Sequence, residues 1–140
     1  MKQVREIKFR AWDGKYKKMR YKVCVGNLHD EENYTAHSVY LKPGDTDYKI
    51  EHPGQWMNFD EHSDYTLMQY TGQTDRNGKE IYEGDIIKTT TGLIYEVFWC
   101  EEMFSFRVSN KTSPANGYML SSAELDEVIG NIYEHAELFK

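Results

Sequence analysis

The chain has 140 residues, of which 39% are hydrophobic, 14% aromatic and 29% charged, and this length suits one domain at roughly 150 residues per domain. So many aromatic side chains argue against an intrinsically disordered chain. No stretch approaches the roughly 20 apolar residues that a membrane-spanning helix needs, and no secretory signal follows the charged N-terminus. With only Cys24 and Cys100, we expect buried, reduced thiols and a cytoplasmic protein without a membrane partner.

The net charge of −6 conceals an asymmetry between the N-terminus and the rest of the chain. Residues 1–22 carry nine basic and two acidic side chains, whereas the remaining 118 residues carry eight basic and 21 acidic side chains. The sequence pI near 5.4 argues against general binding to nucleic acid, while the basic N-terminus favours it locally. The alternative interpretation is that the basic arm packs against the acidic remainder.

The N-terminal residues predict a β-hairpin. Residues 5–11 alternate polar and apolar side chains, Asp13-Gly14 is typical of a turn, and the alternation resumes over 18–23. A three-residue loop at 13–15 would create three apolar pairs: Trp12 with Tyr16, Phe9 with Met19, and Ile7 with Tyr21. One face would carry apolar side chains, and the other would carry four cations, namely Lys8, Arg10, Lys18 and Arg20, with Trp12 and Tyr16 at its tip. Because like charges opposite one another destabilise a sheet, this face requires an anionic neighbour.

Short strands joined by tight turns are predicted for the rest of the chain. Between residues 26 and 66 only two strands, over 36–42 and 48–52, can be proposed. Further along, strands are predicted over 67–70, 80–82, 86–89, 93–99 and 128–133, with a type I′ turn at Asn77-Gly78 and a short helix over 123–127 capped by Ser122. The alternation of Phe104, Phe106 and Val108 with polar residues predicts that all three lie in the core.

These elements predict a mainly β fold, with a β-rich α+β fold as the alternative. We expect an N-terminal hairpin or meander, followed by a small C-terminal barrel that resembles an SH3-like barrel, and few short helices. Residues 1–140 would form one compact domain. Its tentative division is into 1–66, the hairpin and a variable acidic segment, and 67–140, the barrel.

Three blocks of sequence resemble the YopX-like family. They are residues 7–13 (Ile-Lys-Phe-Arg-Ala-Trp-Asp) with Lys18-Met19, residues 67–87 including Leu-Met-Gln-Tyr-Thr-Gly and Asp-Arg-Asn-Gly-Lys-Glu-Ile-Tyr-Glu-Gly-Asp, and residues 128–134 (Val-Ile-Gly-Asn-Ile-Tyr-Glu). The resemblance implies a small protein of bacteriophage or prophage origin. It implies no established activity, cofactor or catalytic residue that could be assigned here.

No arrangement of residues in the sequence predicts catalysis or a metal centre. Neither cysteine has a histidine nearby, and no nucleophile motif or phosphate-binding glycine-rich loop occurs. The spacing of the histidines at 29, 37, 52 and 62 fits no familiar zinc pattern. Glu101 and Glu102 are adjacent, so on a strand they would point to opposite faces. We therefore expect a non-enzymatic protein without a cofactor, and a hydrolase or transferase is the least favoured class.

Two functions remain open at this point. In the first, a small binding module contacts nucleic acid through the hairpin, with phosphates bound by the four cations and a base stacked on an aromatic ring. Its site residues would be Lys8, Arg10, Trp12, Tyr16, Lys18 and Arg20. In the second, a protein-interaction module binds a host or phage protein through its acidic body. Either function is compatible with a homo-oligomer.

Overall fold

The computed structural model describes residues 6–21, 23–27, 37–41, 55–59, 65–120 and 125–139. The chain separates into two compact units, one of residues 1–8 with 69–140 and the other of residues 9–68. In the described ranges the secondary structure is mainly antiparallel strands, with a single-turn 3-10 helix at Ala136–Phe139, so the predicted mainly β fold is confirmed. The single domain divided near residue 66 and the SH3-like barrel stay predictions.

The unit of residues 9–68 contains a hairpin and a three-stranded sheet. The hairpin pairs β1 (Phe9–Asp13) with β2 (Lys18–Arg20). The sheet has the order β3-β4-β5, with β3 at Val23–Asn27, β4 at His37–Leu41 and β5 at Gln55–Phe59. The strand predicted over 36–42 is confirmed as β4. The strand predicted over 48–52 and the start of the helix predicted over 123–127 lie outside the described residues.

The register of the N-terminal hairpin differs from the predicted one. The strands pair Ala11 with Arg20, Trp12 with Met19 and Asp13 with Lys18, around a four-residue turn at 14–17. The physical reason is Asp13, whose carboxylate accepts hydrogen bonds from the backbone N–H groups of Lys15 and Tyr16, both at 3.1 Å. These bonds keep Asp13 at the end of its strand. The three-residue loop and the three apolar pairs that it would create are therefore wrong.

The other unit is built on a five-stranded antiparallel sheet of order β11-β10-β9-β8-β12. Its strands are β8 (Asp85–Lys88), β9 (Ile94–Cys100), β10 (Ser105–Ser109), β11 (Tyr118–Met119) and β12 (Glu127–Asn131). The long strand β6 (Tyr65–Thr74) continues into this unit from residue 69 and pairs there with β7 (Glu80–Tyr82). The predicted strands of this region are thus confirmed, with bounds shifted by a few residues.

Asp75 organises the loop between β6 and β7. Its buried carboxylate accepts hydrogen bonds from the backbone N–H groups of Asn77 and Lys79 at 2.8 Å and of Val128 at 2.9 Å. Burial by itself would raise the pKa of Asp75, but these three hydrogen bonds outweigh it and hold the pKa below its usual value. Gly78 has a φ of +79°, whereas the φ of Asn77 is not positive. The predicted type I′ turn is therefore wrong, because the side chain of Asp75 shapes a longer loop.

Alternating side chains of the five-stranded sheet form the core of this unit. The buried cluster consists of Ile81, Ile87, Val97, Val108, Leu120 and Val128. Phe106 packs against this cluster, so the predicted inward positions of Phe106 and Val108 are confirmed. Phe104 is 82% exposed, and its predicted core position is wrong. The alternation fails there because β10 begins only at Ser105, and Phe104 belongs to the preceding turn.

Candidate functional site

The six residues predicted to bind nucleic acid are divided between the two compact units and differ in burial. Lys8 belongs to one unit and the other five belong to the other unit. Arg10 and Arg20 are each only 2% exposed, and Trp12 is also buried. Lys18 is half-buried, and Tyr16 alone among the six is exposed.

The observed register explains why the hairpin cations do not share a face. Directly paired residues lie on the same face of a hairpin, and a shift by an odd number of residues moves one strand's side chains to the opposite face. Lys18 and Arg20 therefore lie on the face of Asp13, whereas Arg10 lies on the other face. Nη2 of Arg20 donates to Oδ2 of Asp13 at 3.0 Å, and both side chains are fully buried. Arg10 stacks its guanidinium 5.9 Å from the ring centre of Tyr21.

Lys8 is held by acidic neighbours. Its ammonium group contacts Oε1 of Glu80 at 2.7 Å and Oε1 of Glu6 at 3.0 Å, and lies 5.4 Å from the ring centre of Tyr70. Hydrogen bonds to Glu80 and then to Glu6 raise the pKa of Lys8 above its usual value. Burial, followed by the charge of Glu80, raises the pKa of the Tyr70 hydroxyl. This arrangement fastens the N-terminal segment to β6 and β7, where Lys8 also accepts a backbone hydrogen bond from Tyr70.

The accessible basic surface of the hairpin is its turn. Lys15, Tyr16 and Lys17 are all exposed there, and the ammonium group of Lys15 lies 5.4 Å from the ring centre of Tyr16. Lys17 has a φ of +55°, a left-handed conformation that closes the four-residue turn. A cationic and aromatic tip therefore exists, but its residues differ from most of those predicted.

A second surface, absent from the sequence-based prediction, is a groove beside the β9–β10 hairpin. The groove encloses about 710 Å³, which falls within the range of roughly 300–1,000 Å³ typical of ligand sites. Its apolar lining residues are Trp99, Met103, Phe104, Phe106, Met119 and Leu120. Its polar lining residues are Gln69, Thr71, Gln73, Ser105 and Arg107. We refer to these eleven residues as the hairpin groove.

The turn of the β9–β10 hairpin supplies the most exposed apolar residue of the groove. Phe104 has a φ of +48° in the last position of a four-residue turn, the position that Lys17 occupies in the N-terminal hairpin. Nearby, Trp99 is 43% exposed and meets the ring of Phe106 edge-on, with 4.9 Å between ring centres. Met119, on the neighbouring strand β11, is 69% exposed. Together these side chains form an apolar surface open to solvent.

Hydrogen bonds hold the polar lining residues of the groove in place. The hydroxyl of Thr71 donates to the backbone carbonyl of Ile81 at 2.8 Å, and Nε2 of Gln73 donates to the carbonyl of Leu120 at 2.9 Å. Arg107 donates through Nε and Nη2 to the carbonyl oxygens of Asn116 and Gly117. These side chains donate hydrogen bonds to the backbone of their own unit. The groove is therefore a preformed shape and not a set of groups poised for proton transfer.

The described residues bring together no recognisable catalytic group. Cys100 is buried, as predicted, and its Sγ lies 3.8 Å from Oδ1 of Asn116. The side chain of Cys24 lies outside the described part of the structure. Within the described ranges, no three His, Cys, Asp or Glu side chains are grouped closely enough to hold a metal ion. Nor does any helix in those ranges have the length and apolar character needed to cross a bilayer.

The sequence contained a signal for the groove that its analysis did not use. The run Trp99-Cys100-Glu101-Glu102-Met103-Phe104 places three large apolar side chains around two acids. The two acids are typical of solvated surface, and the alternation over residues 104–108 assigns Phe104 to a core strand. Four polar or small residues usually form such a turn, so an aromatic residue within it was an informative exception.

Comparisons with known proteins identify relatives over nearly the whole chain. The model of the family described as YopX protein matches residues 8–140. Two similar solved structures are protein EF1440 from Enterococcus faecalis, at 23% identity and a TM-score of 0.60, and protein yopX from Bacillus subtilis, at 20% identity and a TM-score of 0.53. The first match covers 98% of this chain and 100% of the relative, and the second covers 95% of each. At these identities the likeness concerns the fold. None of the curated proteins matches the chain.

Proposed function

We propose that this chain, which belongs to the YopX protein family, is a small non-enzymatic binding module that holds a segment of a partner protein in the hairpin groove. The resemblance to phage-encoded proteins further supports action in the cytoplasm of a phage-infected or lysogenic bacterium. The partner would then be a host or phage protein.

The single observation that carries the proposal is the conformation and exposure of Phe104. A left-handed backbone costs a non-glycine residue roughly 1–2 kcal/mol. Leaving a Phe side chain in water forgoes a further 1.5–3 kcal/mol or so of burial free energy. Phe104 combines both penalties, since its φ is +48° and its side chain is 82% exposed. A residue that folding does not favour at its position is suited to a role in binding.

The surroundings of Phe104 match the anatomy of a protein-binding surface. Aromatic residues and methionines are enriched in the buried centres of interfaces, where a few of them supply most of the binding free energy. The hairpin groove is lined by Trp99, Met103, Phe104 and Met119, all four of which are exposed. Methionine side chains adapt their shape to different partners. The groove is therefore better suited to an apolar segment of a protein than to a polar metabolite.

The proposal is tested by selecting peptides from a random display library on the immobilised full-length protein. The Phe104→Gly variant removes the ring and relieves the left-handed strain, and Lys17→Gly is its matched control at the same position of the other four-residue turn. We expect enriched peptides that bind the wild-type protein and Lys17→Gly equally. Their affinity for Phe104→Gly should be at least tenfold weaker, which corresponds to about 1.4 kcal/mol. Failure to enrich any peptide, or equal binding to both variants, would overturn the proposal.

Nucleic acid is the second candidate partner, and the hairpin turn supports it. Lys15, Tyr16 and Lys17 are exposed together, so a phosphate could be bound by the lysines while a base stacks on the tyrosine ring. Of the originally predicted residues, Tyr16 and Lys18 retain this role in the proposal. Arg10, Arg20 and Trp12 are buried, and we assign them to the stability of the hairpin instead.

A further inference from the structure

We infer that the segment bound in the hairpin groove is cationic, with a Lys or Arg side chain next to an apolar anchor. This inference rests on the proposed function and specifies the chemistry of its partner. It follows from the two exposed acids of the β9–β10 turn, from the exposed indole of Trp99 and from the backbone hydrogen bonds that hold Arg107, the charged residue among the described lining residues.

Two exposed acids belong to the turn that supplies apolar lining residues of the groove. Glu101 and Glu102 are exposed and lie in the same turn as Met103 and Phe104, both of which line the groove. This turn therefore carries two negative charges next to its apolar residues. Opposite charge at the rim of an interface selects partners and speeds their association.

Backbone carbonyl groups hold the charged side chain of the groove. Among the described lining residues Arg107 alone is charged, and it donates through Nε and Nη2 to the carbonyl oxygens of Asn116 and Gly117. The other polar lining residues, Gln69, Thr71, Gln73 and Ser105, are uncharged. Across residues 69–140, the sequence has 12 acidic and six basic side chains. The acidic excess of this unit and the two acids of the turn thus favour a cationic occupant over an anionic one.

The aromatic surface is suited to the rest of a basic side chain. The indole of a tryptophan is the most favourable ring for a cation held over its face, and Trp99 is 43% exposed. Lys and Arg also carry apolar stems that cover hydrophobic surface while the charged end stays in water. A basic residue could lay its stem on Trp99 and Phe104 and direct its charge to Glu101 or Glu102. An adjacent apolar side chain would fill the groove beside Met119.

The experiment measures the composition and the charge dependence of the Phe104-dependent peptides obtained from the library. We expect them to share at least one Lys or Arg within two residues of an apolar anchor. The double variant Glu101→Gln/Glu102→Gln should bind these peptides about two- to fivefold more weakly at low salt, because it removes the carboxylates that form an exposed ion pair with the basic side chain. The control Glu134→Gln/Glu137→Gln makes the same change in net charge away from the groove, and we expect it to retain wild-type affinity.

The outcomes separate this inference from the function on which it rests. If the Phe104-dependent peptides are neutral or acidic, or if both glutamine variants bind equally, the cationic partner is wrong and the binding groove stands. If no Phe104-dependent peptide is found, the binding groove itself is wrong. Displacement of a bound peptide by single-stranded oligonucleotides, with loss of oligonucleotide binding in Phe104→Gly, would likewise overturn the inference, because the groove would then accept an anion.

Discussion

At the scale of single residues, Asp13 determines the shape of the N-terminal hairpin. Its carboxylate is fully buried, accepts two backbone hydrogen bonds within the turn and pairs with Arg20. A buried charge without such partners would be costly, so the turn and the register form together around it. One side chain thus ends β1, shapes the turn and neutralises a cation that sequence analysis had assigned to ligand binding.

Replacement of Arg20 should destabilise the protein strongly. We expect Arg20→Ala to lower the free energy of unfolding by about 3–5 kcal/mol, because the carboxylate of Asp13 would remain buried without its cation. The matched control is Arg76→Ala, which breaks the exposed Arg76–Glu127 ion pair at 2.7 Å and should cost less than about 1 kcal/mol. Both values come from denaturant titrations. Equal losses in the two variants would show that burial is not the cause.

The ionisation of Glu96 should make stability depend on pH in a defined direction. Burial raises the pKa of Glu96 in the folded state above its unfolded value of about 4.3. The contribution of Glu96 to stability is therefore fully present below a pH of about 4.3 and is lost as the pH rises through its folded pKa. We expect Glu96→Gln to have a higher melting temperature than the wild-type protein at pH 7. The difference should disappear near pH 3.

For Asp75 the pH dependence of stability should have the opposite direction. Although burial opposes its ionisation, backbone hydrogen bonds lower its folded pKa, so its contribution is present above the unfolded pKa and is lost as the pH falls through the folded pKa. Asp75→Asn should thus lower the melting temperature at pH 7, with a deficit that shrinks in acid. If the advantage of Glu96→Gln persisted at pH 3, packing and not charge would explain it.

At the scale of secondary-structure elements, two hairpins share the same kind of turn. The turns at 14–17 and 101–104 each have four residues and finish in a left-handed residue, Lys17 in one and Phe104 in the other. The flanking strands could be recognised from their alternating side chains. The turn geometry could not, because neither sequence has glycine at the left-handed position. This is why the core assignment failed at Phe104 and the predicted register failed at Asp13.

The pairing of β10 with β11 depends on a close backbone approach at Gly117. Its φ is +61°, and a Cβ atom there would collide with the carbonyl oxygen of Val108 and lie 3.0 Å from the ring of Phe98. We expect Gly117→Ala to lower the free energy of unfolding by more than about 2 kcal/mol, as backbone strain and overpacking act together. Gly92→Ala is the control, since Gly92 has a φ of +89° and no atom within 4 Å of the added Cβ.

Denaturant titration of the two glycine variants separates the two effects. Gly92→Ala reports the cost of the left-handed backbone by itself, which should be about 1 kcal/mol. A Gly117→Ala variant as stable as Gly92→Ala would mean that β11 can move away from β10 at little cost. In that case the β11 side of the groove, which includes Met119, would be adaptable and not preformed.

At the scale of the whole molecule, the charge asymmetry of the sequence does not produce an extended basic face among the residues that the structure describes. The nine basic residues of positions 1–22 include Arg10 and Arg20, which are buried, and Lys8, which is paired with Glu80 and Glu6. Among the described residues, the exposed basic side chains of this segment are concentrated at the turn around Tyr16. Any nucleic acid would therefore meet a small basic tip on a protein of net charge −6.

This small tip sets the expected salt dependence of nucleic-acid binding. Two or three phosphate contacts predict a slope of about −1.4 to −2.7 in a log–log plot of affinity against salt, at 0.7–0.9 per phosphate. We expect Lys15→Gln/Lys17→Gln to flatten this slope, and Tyr16→Ala to weaken single-stranded binding by about 1–3 kcal/mol. The control Lys88→Gln/Lys111→Gln changes two exposed lysines elsewhere. An affinity independent of salt in the wild-type protein would contradict the second candidate.

The sequence by itself determined the class of fold and most of its strands. Alternating side chains record which face of a strand is buried, and this local signal was sufficient to locate β1, the strands from β6 to β10 and β12 within a few residues, whereas the two-residue strand β11 was not predicted. It also determined the family, because the motifs that carry the resemblance are contiguous. What the residues could not specify was which faces remain in water, since burial depends on register and a one-residue difference reverses every side chain.

Only the tertiary structure decided where the candidate site lies. The hairpin groove combines residues 69–73, 99–107 and 119–120, and the hydrogen bond from Gln73 to the carbonyl of Leu120 joins positions 47 residues apart. No local pattern encodes such a meeting, because it arises from the pairing of β11 with β10 and the packing of the sheet around Val97 and Val108. Burial is also the reason that the proposed binding site is the hairpin groove and not the basic hairpin. Arg10 and Arg20 are buried, so we assign these cations to the stability of the fold. The apolar side chain of Phe104 remains exposed to water because its turn holds it there.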